Sequence, residues 1–202
     1  MLIHEARLGF VHIPRTGGTS VEYALQNKYK SDRCQINHQP QDTAIQTIQT
    51  VTHGEKELQR KHATYHELIE FCPDYKYYVV VRHPLKRIES VYRFLVHMKL
   101  VNTEFDKWIY RLIYGYIYGE PNAGLDELPY LTDLSYGPRR QVEYIGEAEV
   151  HKLEEQTIWQ ALNIRPIKVF NLPNVLPIVW TKRSIKLIEK YYEIDYQRLN
   201  YD

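Results

Sequence analysis

Near its amino end the chain reads Leu8-Gly9-Phe10-Val11-His12-Ile13-Pro14, then Arg15-Thr16-Gly17-Gly18-Thr19-Ser20, then Val21-Glu22-Tyr23-Ala24-Leu25. An apolar run stops at a proline, a cation and two glycines follow among three hydroxyl side chains, and a helical pattern begins. The spacing predicts a strand over 8–14, a tight loop, and a helix over 19–29. Proteins build anion sites this way. Glycines let successive N–H groups turn to one side, and the helix dipole adds partial positive charge at the same place. Arg15 adds a full charge, and Thr19 or Ser20 is placed to cap the helix. The loop differs from a Walker A sequence, in which four residues separate the glycines and Lys-Ser/Thr follows the second. Taken alone, the stretch also fits an ordinary strand-to-helix connection.

A second strand-to-helix unit narrows the reading. Tyr75-Lys76-Tyr77-Tyr78-Val79-Val80-Val81 is a run of strand formers, with Arg82 at its carboxyl end. His83-Pro84 follows, and proline suits the first helical position because its missing N–H would be unpaired there anyway. Leu85, Ile88, Val91 or Tyr92, and Leu95 then recur at helical spacing, predicting a helix over 84–99 with one apolar face. Ser90 lies two turns into it. Ligands of open α/β sheets sit beyond the carboxyl ends of the strands, where Arg82 stands.

Together the two units resemble a known family. H-I-P-R-T-G-G-T-S is similar to the 5′-phosphosulfate-binding motif of sulfotransferases that use 3′-phosphoadenosine 5′-phosphosulfate (PAPS). V-V-V-R-H-P-L-K-R-I-E-S-V-Y-R-F is similar to their 3′-phosphate-binding motif. The flavour is that of the carbohydrate branch, with the heparan sulfate 2-O- and 6-O-sulfotransferases and small bacterial relatives. Weaker likeness extends to Arg140-Gln141-Val142-Glu143-Tyr144-Ile145 and to the tail from Tyr191 to Tyr201. The resemblance implies a three-layer, P-loop-like α/β fold, a central parallel sheet flanked by helices. It implies PAPS as donor, 3′-phosphoadenosine 5′-phosphate (PAP) as product, and a hydroxyl acceptor such as a saccharide.

Carried over by residue, the resemblance assigns Arg15, Thr16, Gly17, Gly18, Thr19 and Ser20 to the 5′-phosphosulfate, and Arg82 and Ser90 to the 3′-phosphate. Arg15 stands where the family usually has a lysine that stabilises charge on the leaving phosphate; a planar guanidinium is not a neutral replacement. His83 stands where Asp or Asn usually caps the helix.

Sulfuryl transfer to an alcohol needs in-line placement, charge stabilisation and a proton acceptor, by extension from phosphoryl transfer. Histidine suits proton removal near neutral pH. Of nine histidines, His62 is singled out by position. It precedes a capping-box pattern at Thr64 and Glu67, just before a helix predicted over 64–72 that leads to the Arg82 strand. A histidine in this segment is the resembling family's proposed base; the ordinary alternative is a surface histidine beside Lys61. His66, one turn on, is a rival that falls inside the helix. His12 lies in the first strand beside the loop and packs or assists there. Glu22 is the substitute base.

The remaining features set bounds. With 202 residues the chain fits one domain spanning 1–202, and a two-subdomain layout is also compatible. A net charge of +1 from 26 basic and 25 acidic residues leaves no global footprint for nucleic acid or membrane. Cys34 and Cys72 make neither a disulfide framework nor a C-x-x-C, and no H-E-x-x-H or G-x-S-x-G occurs, so no metal is expected. The absence of an apolar leader or of about 18 consecutive apolar residues points to a cytoplasmic protein.

Other elements read as a helix over Phe105–Tyr118, a strand near 149–153, and helices over 154–163 and 181–192, the last capped by Thr181. Segment 31–60 is polar and yields no pattern, and 119–140 is loop-rich. Among the 18 tyrosines, Tyr110-Tyr114-Tyr116-Tyr118 and Tyr130-Tyr136 suit either helix packing or stacking on sugar rings. Two other functions compete: a nucleotide-dependent phosphotransferase on a variant P-loop, and a catalytically silent nucleotide binder of the same fold.

Overall fold

A computed structural model describes residues 1–29, 50–53, 56–59, 62–118, 139–169 and 178–202. In chain order its elements are β1 (Leu2–Ile3), β2 (Leu8–Val11), α1 (Gly18–Tyr29), β3 (Thr50–His53), β4 (Lys56–Gln59), α2 (Tyr65–Ile69) and β5 (Lys76–Val81). They continue with α3 (Pro84–His97), α4 (Phe105–Tyr118), α5 (Val142–Ile145), β6 (Glu149–Lys152), α6 (Ile158–Ala161), α7 (Lys182–Tyr191) and α8 (Glu193–Leu199). The chain divides into two compact units, Met1–Val81 with Glu143–Phe170, and Arg82–Val142 with Asn171–Asp202.

The first unit is α/β. Its main sheet has the order β1-β2-β5-β6. β5 is central because its valines are strand formers on both faces: Val79, Val80 and Val81 are fully buried, each contributing roughly 1.5–3 kcal/mol. β2 runs parallel to it from Leu8↔Lys76 to Val11↔Val79, and β6 runs parallel on its other side from Tyr78↔Glu149 to Val81↔Lys152. The expected all-parallel sheet is corrected at one edge. β1 pairs antiparallel with β2, so the sheet is mixed. Phe10 and Leu8 pack with Val21, Ala24 and Leu25 of α1 and with Ile158, Trp159 and Leu162 around α6.

Several boundaries move for identifiable reasons. β2 ends at Val11, three residues short of the expected strand, and the His12 carbonyl accepts a side-chain hydrogen bond instead of continuing the ladder. α1 begins at Gly18, so Thr19 and Ser20 lie inside its first turn rather than capping it. α2 stops at Ile69, before the expected end at Cys72. The helix expected over 154–163 is interrupted by Gln156, which is left-handed at φ 59°; a 3-10 turn precedes it and α6 follows. β3 and β4 form an antiparallel hairpin inside the segment that yielded no sequence pattern. Two four-residue strands separated by Gly54-Glu55 were the available signal.

The second unit is helical where described. The apolar stripe of α3 is as expected: Ile88, Val91, Tyr92 and Leu95 are buried, and Leu85 is half-buried against the same cluster. They pack with Phe105, Trp108, Ile109 and Leu112 of α4 and with Ile188 and Tyr191 of α7. Thr181 caps α7 as expected, its hydroxyl accepting from the Ser184 amide at 3.0 Å. No described helix is long and apolar enough to cross a membrane.

Candidate functional site

In the first unit, the turn after β2 has an unusual backbone. Arg15 and Gly17 have positive φ, 67° and 88°, whereas Thr16 and Gly18 do not. Alternation of this kind turns successive N–H groups toward one side and makes an anion-binding concavity. A left-handed arginine is strained, so the turn is held by other contacts. Thr16 supplies one: it is fully buried, and its hydroxyl donates to the Ile13 carbonyl at 2.9 Å. Thr16 therefore shapes the loop from within. The Ser20 amide donates to the Gly17 carbonyl at 3.0 Å, and the Ser20 hydroxyl accepts from the Val169 amide at 3.3 Å. Arg15, Gly17 and Thr19 are half-buried at the loop's outer side.

Gly18 is required by a close approach. A Cβ there would stand 2.3 Å from Cδ2 and 2.7 Å from Nε2 of His12. That ring is itself fixed: His12 Nδ1 lies 2.9 Å from Oε2 of Glu22, with the two side chains 4% and 1% exposed. The Glu22 carboxyl is enclosed beside that ring, which leaves it poorly placed to reach an acceptor. The geometry does not favour Glu22 as a base.

His62 joins the same cluster. Its ring stands edge-on to His12 with centroids 4.7 Å apart, and its Nδ1 is 3.0 Å from the His12 carbonyl oxygen. A carbonyl can only accept, so Nδ1 carries the proton and, in neutral imidazole, Nε2 carries the lone pair. The tautomer needed of a general base acting through Nε2 is thus set by the backbone of the loop's own strand. The ring is half-buried.

What places His62 is the capping box expected from sequence. The Thr64 hydroxyl accepts from the Glu67 amide at 3.3 Å, and the Thr64 amide donates to Glu67 Oε2 at 2.7 Å. α2 is anchored in turn by Tyr77 of β5, whose hydroxyl bonds the Leu68 and Cys72 carbonyls, each at 2.9 Å. His66 is exposed on α2 and takes no part in this cluster.

Arg82 and Ser90 belong to the second unit. Arg82 is half-buried directly after the β5 sequence, and Ser90 is half-buried on α3. His83 caps α3, its Nδ1 accepting from the Leu85 amide at 3.3 Å. Behind Arg82 lies a set of residues to which the sequence assigns no role, although they fall in the two segments of weaker family likeness. The fully buried Gln141 bonds both backbone groups of Arg82, and the fully buried Asp195 accepts from the Gln141 and Val142 amides. Burial pushes the Asp195 carboxyl above its ordinary value, against the pull of those amides and of Arg87. The sequence signals were the weaker family likeness of both segments and an acidic residue between Ile194 and Tyr196.

Among the tyrosines, Tyr110 and Tyr114 stack at 4.2 Å with the Arg183 guanidinium 4.2 Å over Tyr110. Tyr130 and Tyr136, like Cys34 and all of 31–49 and 119–138, lie outside the described residues. Among the described residues no group of three or more His, Cys, Asp or Glu could hold a metal ion. No family model, curated protein or solved structure matches this chain.

Proposed function

We propose that the chain is a PAPS-dependent sulfotransferase that acts in the cytoplasm on an acceptor hydroxyl, a saccharide being the acceptor class its resemblance implies, and that its α/β unit is of the P-loop-like sulfotransferase type. The observation that carries the reading is the hydrogen bond from His62 Nδ1 to the His12 carbonyl beside the alternating-φ loop. It stands the His62 ring beside that loop at one strand end, which supports reading the ring as the base and the loop as the anion cradle.

In this reading the amides of residues 15–20 and the Arg15 guanidinium receive the 5′-phosphosulfate, and Arg82 and Ser90 receive the 3′-phosphate. The chain's residues fit such a group. A Cβ at Gly17 would stand 2.8 Å from Leu153 Cδ1 and one at Gly18 2.3 Å from His12 Cδ2, so glycine at both positions keeps the loop backbone in this turn, and both candidate arginines are half-buried rather than sealed. PAPS supplies an activated sulfuryl group, so that R–OH and PAPS give R–OSO3⁻, PAP and a proton. His62 Nε2 takes that proton as the acceptor oxygen attacks sulfur. Arg15 and the loop amides offset charge gathering on the departing phosphate. Glu22 holds the His12 ring, and thereby the wall against which His62 stands.

The test is thermal unfolding with PAP and with ATP-Mg²⁺. At a hundredfold excess over Kd, a specific binder gains about 2.7 kcal/mol, or roughly 5–10 °C for a chain of this size. A shift with PAP and little with ATP-Mg²⁺ is expected; the reverse overturns the proposal in favour of a phosphotransferase. Turnover of labelled PAPS across a saccharide panel then separates an enzyme from a silent binder.

A further inference from the structure

The pairing of β5 ends at Val81, so the amide and carbonyl of Arg82 lie past the ladder. Both are taken by one side chain. Gln141 Oε1 accepts from the Arg82 amide at 2.9 Å, and Gln141 Nε2 donates to the Arg82 carbonyl at 2.8 Å. A primary amide has one face that accepts and one that donates, so here it replaces a neighbouring strand for a single residue.

Gln141 is held in turn. Its own amide donates to Asp195 Oδ2 at 2.9 Å, the Val142 amide donates to Oδ1 at 3.0 Å, and Gln141 Nε2 stands 3.5 Å from Oδ2. Gln141 and Asp195 are both 0% exposed. Arg87, 1% exposed on α3, balances the buried carboxylate electrostatically while its Nη1 donates to the Arg139 carbonyl at 2.8 Å.

A buried carboxylate needing this many partners is an expensive way to join two segments, and apolar packing would do that as well. What packing does not do is fix both backbone groups of one residue. We infer that Gln141 and Asp195 are positioning residues for Arg82. They hold its backbone so that the guanidinium meets the 3′-phosphate of the nucleotide with little further ordering. The inference rests on the proposed assignment of Arg82 to that phosphate. Preorganisation of this kind raises affinity by reducing the freedom lost on binding.

Two variants and two readouts test it. Asp195→Asn keeps the size but leaves one of two backbone amides without its acceptor. Gln141→Met keeps the length but removes the grip, and serves if the first variant fails to fold. The first readout is hydrogen exchange at the Arg82 amide in the free protein. Exchange is expected to quicken at least tenfold there, relative to β5 amides; unchanged exchange overturns the positioning role. The second readout is the ratio of Kd values for PAP and for adenosine 5′-monophosphate, which differs from it only in lacking the 3′-phosphate. A hydrogen bond to a charged group is worth roughly tenfold or more in affinity, so the preference for PAP is expected to fall roughly tenfold or more while the second ligand binds as before. If both ligands weaken equally, or the preference holds, Gln141 and Asp195 serve stability alone and the inference is wrong. If the wild type itself shows no preference for PAP, the assignment of Arg82 to the 3′-phosphate falls, and with it the link to binding; the exchange data still decide whether the grip exists.

Discussion

After β2 the chain turns through Arg15-Thr16-Gly17-Gly18, with positive φ at two positions and no room for a Cβ at a third. After β5 it passes through Arg82-His83-Pro84 with no glycine, a ring nitrogen capping the helix and a buried glutamine gripping the backbone. The first turn presents N–H groups and the second presents side chains. Backbone amides accept any anion of suitable size. A single guanidinium held at its Cα discriminates by where the phosphate sits. Under the proposed function the two turns divide two tasks: holding the reacting group in the first unit, and recognising the nucleotide in the second.

The sharpest way to break this division is kinetic. His62→Ala is expected to lower kcat by roughly 10²–10⁴ while donor KM stays near wild type, because a base acts in the transition state. Arg82→Ala is expected to raise donor KM with little change in kcat. A steady-state series with PAPS in which Arg82→Ala lowers kcat as far as His62→Ala would erase the distinction between the two turns.

Stability probes sharpen the same contrast at smaller scale. Gly18→Ala forces a methyl into the His12 ring, which Glu22 holds in place, and should cost about 1–3 kcal/mol by urea unfolding. His83→Ala removes the cap bond, an exposed contact with the Asp202 carbonyl and the edge-on ring contacts with Tyr196 and Tyr201, and should cost about 1 kcal/mol. Equal losses would mean that the His12 ring moves aside and that the first turn is not over-determined.

The smallest expected effects are in pH dependence, and they differ in sign between the units. Burial raises the Asp195 carboxyl from its ordinary 3.8, so the folded chain holds that proton more tightly than the unfolded chain. Its contribution to stability falls as pH rises from 3.8 through the raised value and is level above it. Glu149 of the first unit is held below its ordinary 4.5, chiefly by the Lys76 ammonium 2.7 Å away. Its contribution is present above 4.5 and is lost as pH falls through the lowered value, and it is small because the pair is exposed. Urea midpoints against pH are the check. The wild-type advantage over Asp195→Asn should shrink with rising pH, and that over Glu149→Gln should grow. Parallel curves for the two variants would contradict both directions.

Much of the first turn was legible before any coordinates. Val79-Val80-Val81 and the run at Leu8 marked two strands, Thr64 and Glu67 marked the helix start that places His62, and Pro84 marked the start of α3. Each is a local rule, satisfied within four or so residues. The edge strand β1 was too short to show a period. The helix over 154–163 was misread because its pattern carries no sign of the left-handed Gln156. Glu22 enters as a substitute base because spacing alone cannot tell a buried position from an exposed one on a helix so weakly amphipathic as α1.

By itself, then, the sequence determined the α/β class of the first unit, the glycine loop at its first strand end, the capping of α2, α3 and α7, and the resemblance that names a nucleotide. All of these follow from short-range sterics and hydrogen bonding. Only the tertiary structure decided that His12 is sealed against Glu22, that the His12 carbonyl sets the tautomer of His62, and that Gln141 and Asp195 stand behind Arg82. Those pairings join residues 10, 50, 59 and 54 positions apart. Burial and partnership at such separations arise from packing, and no local pattern encodes them.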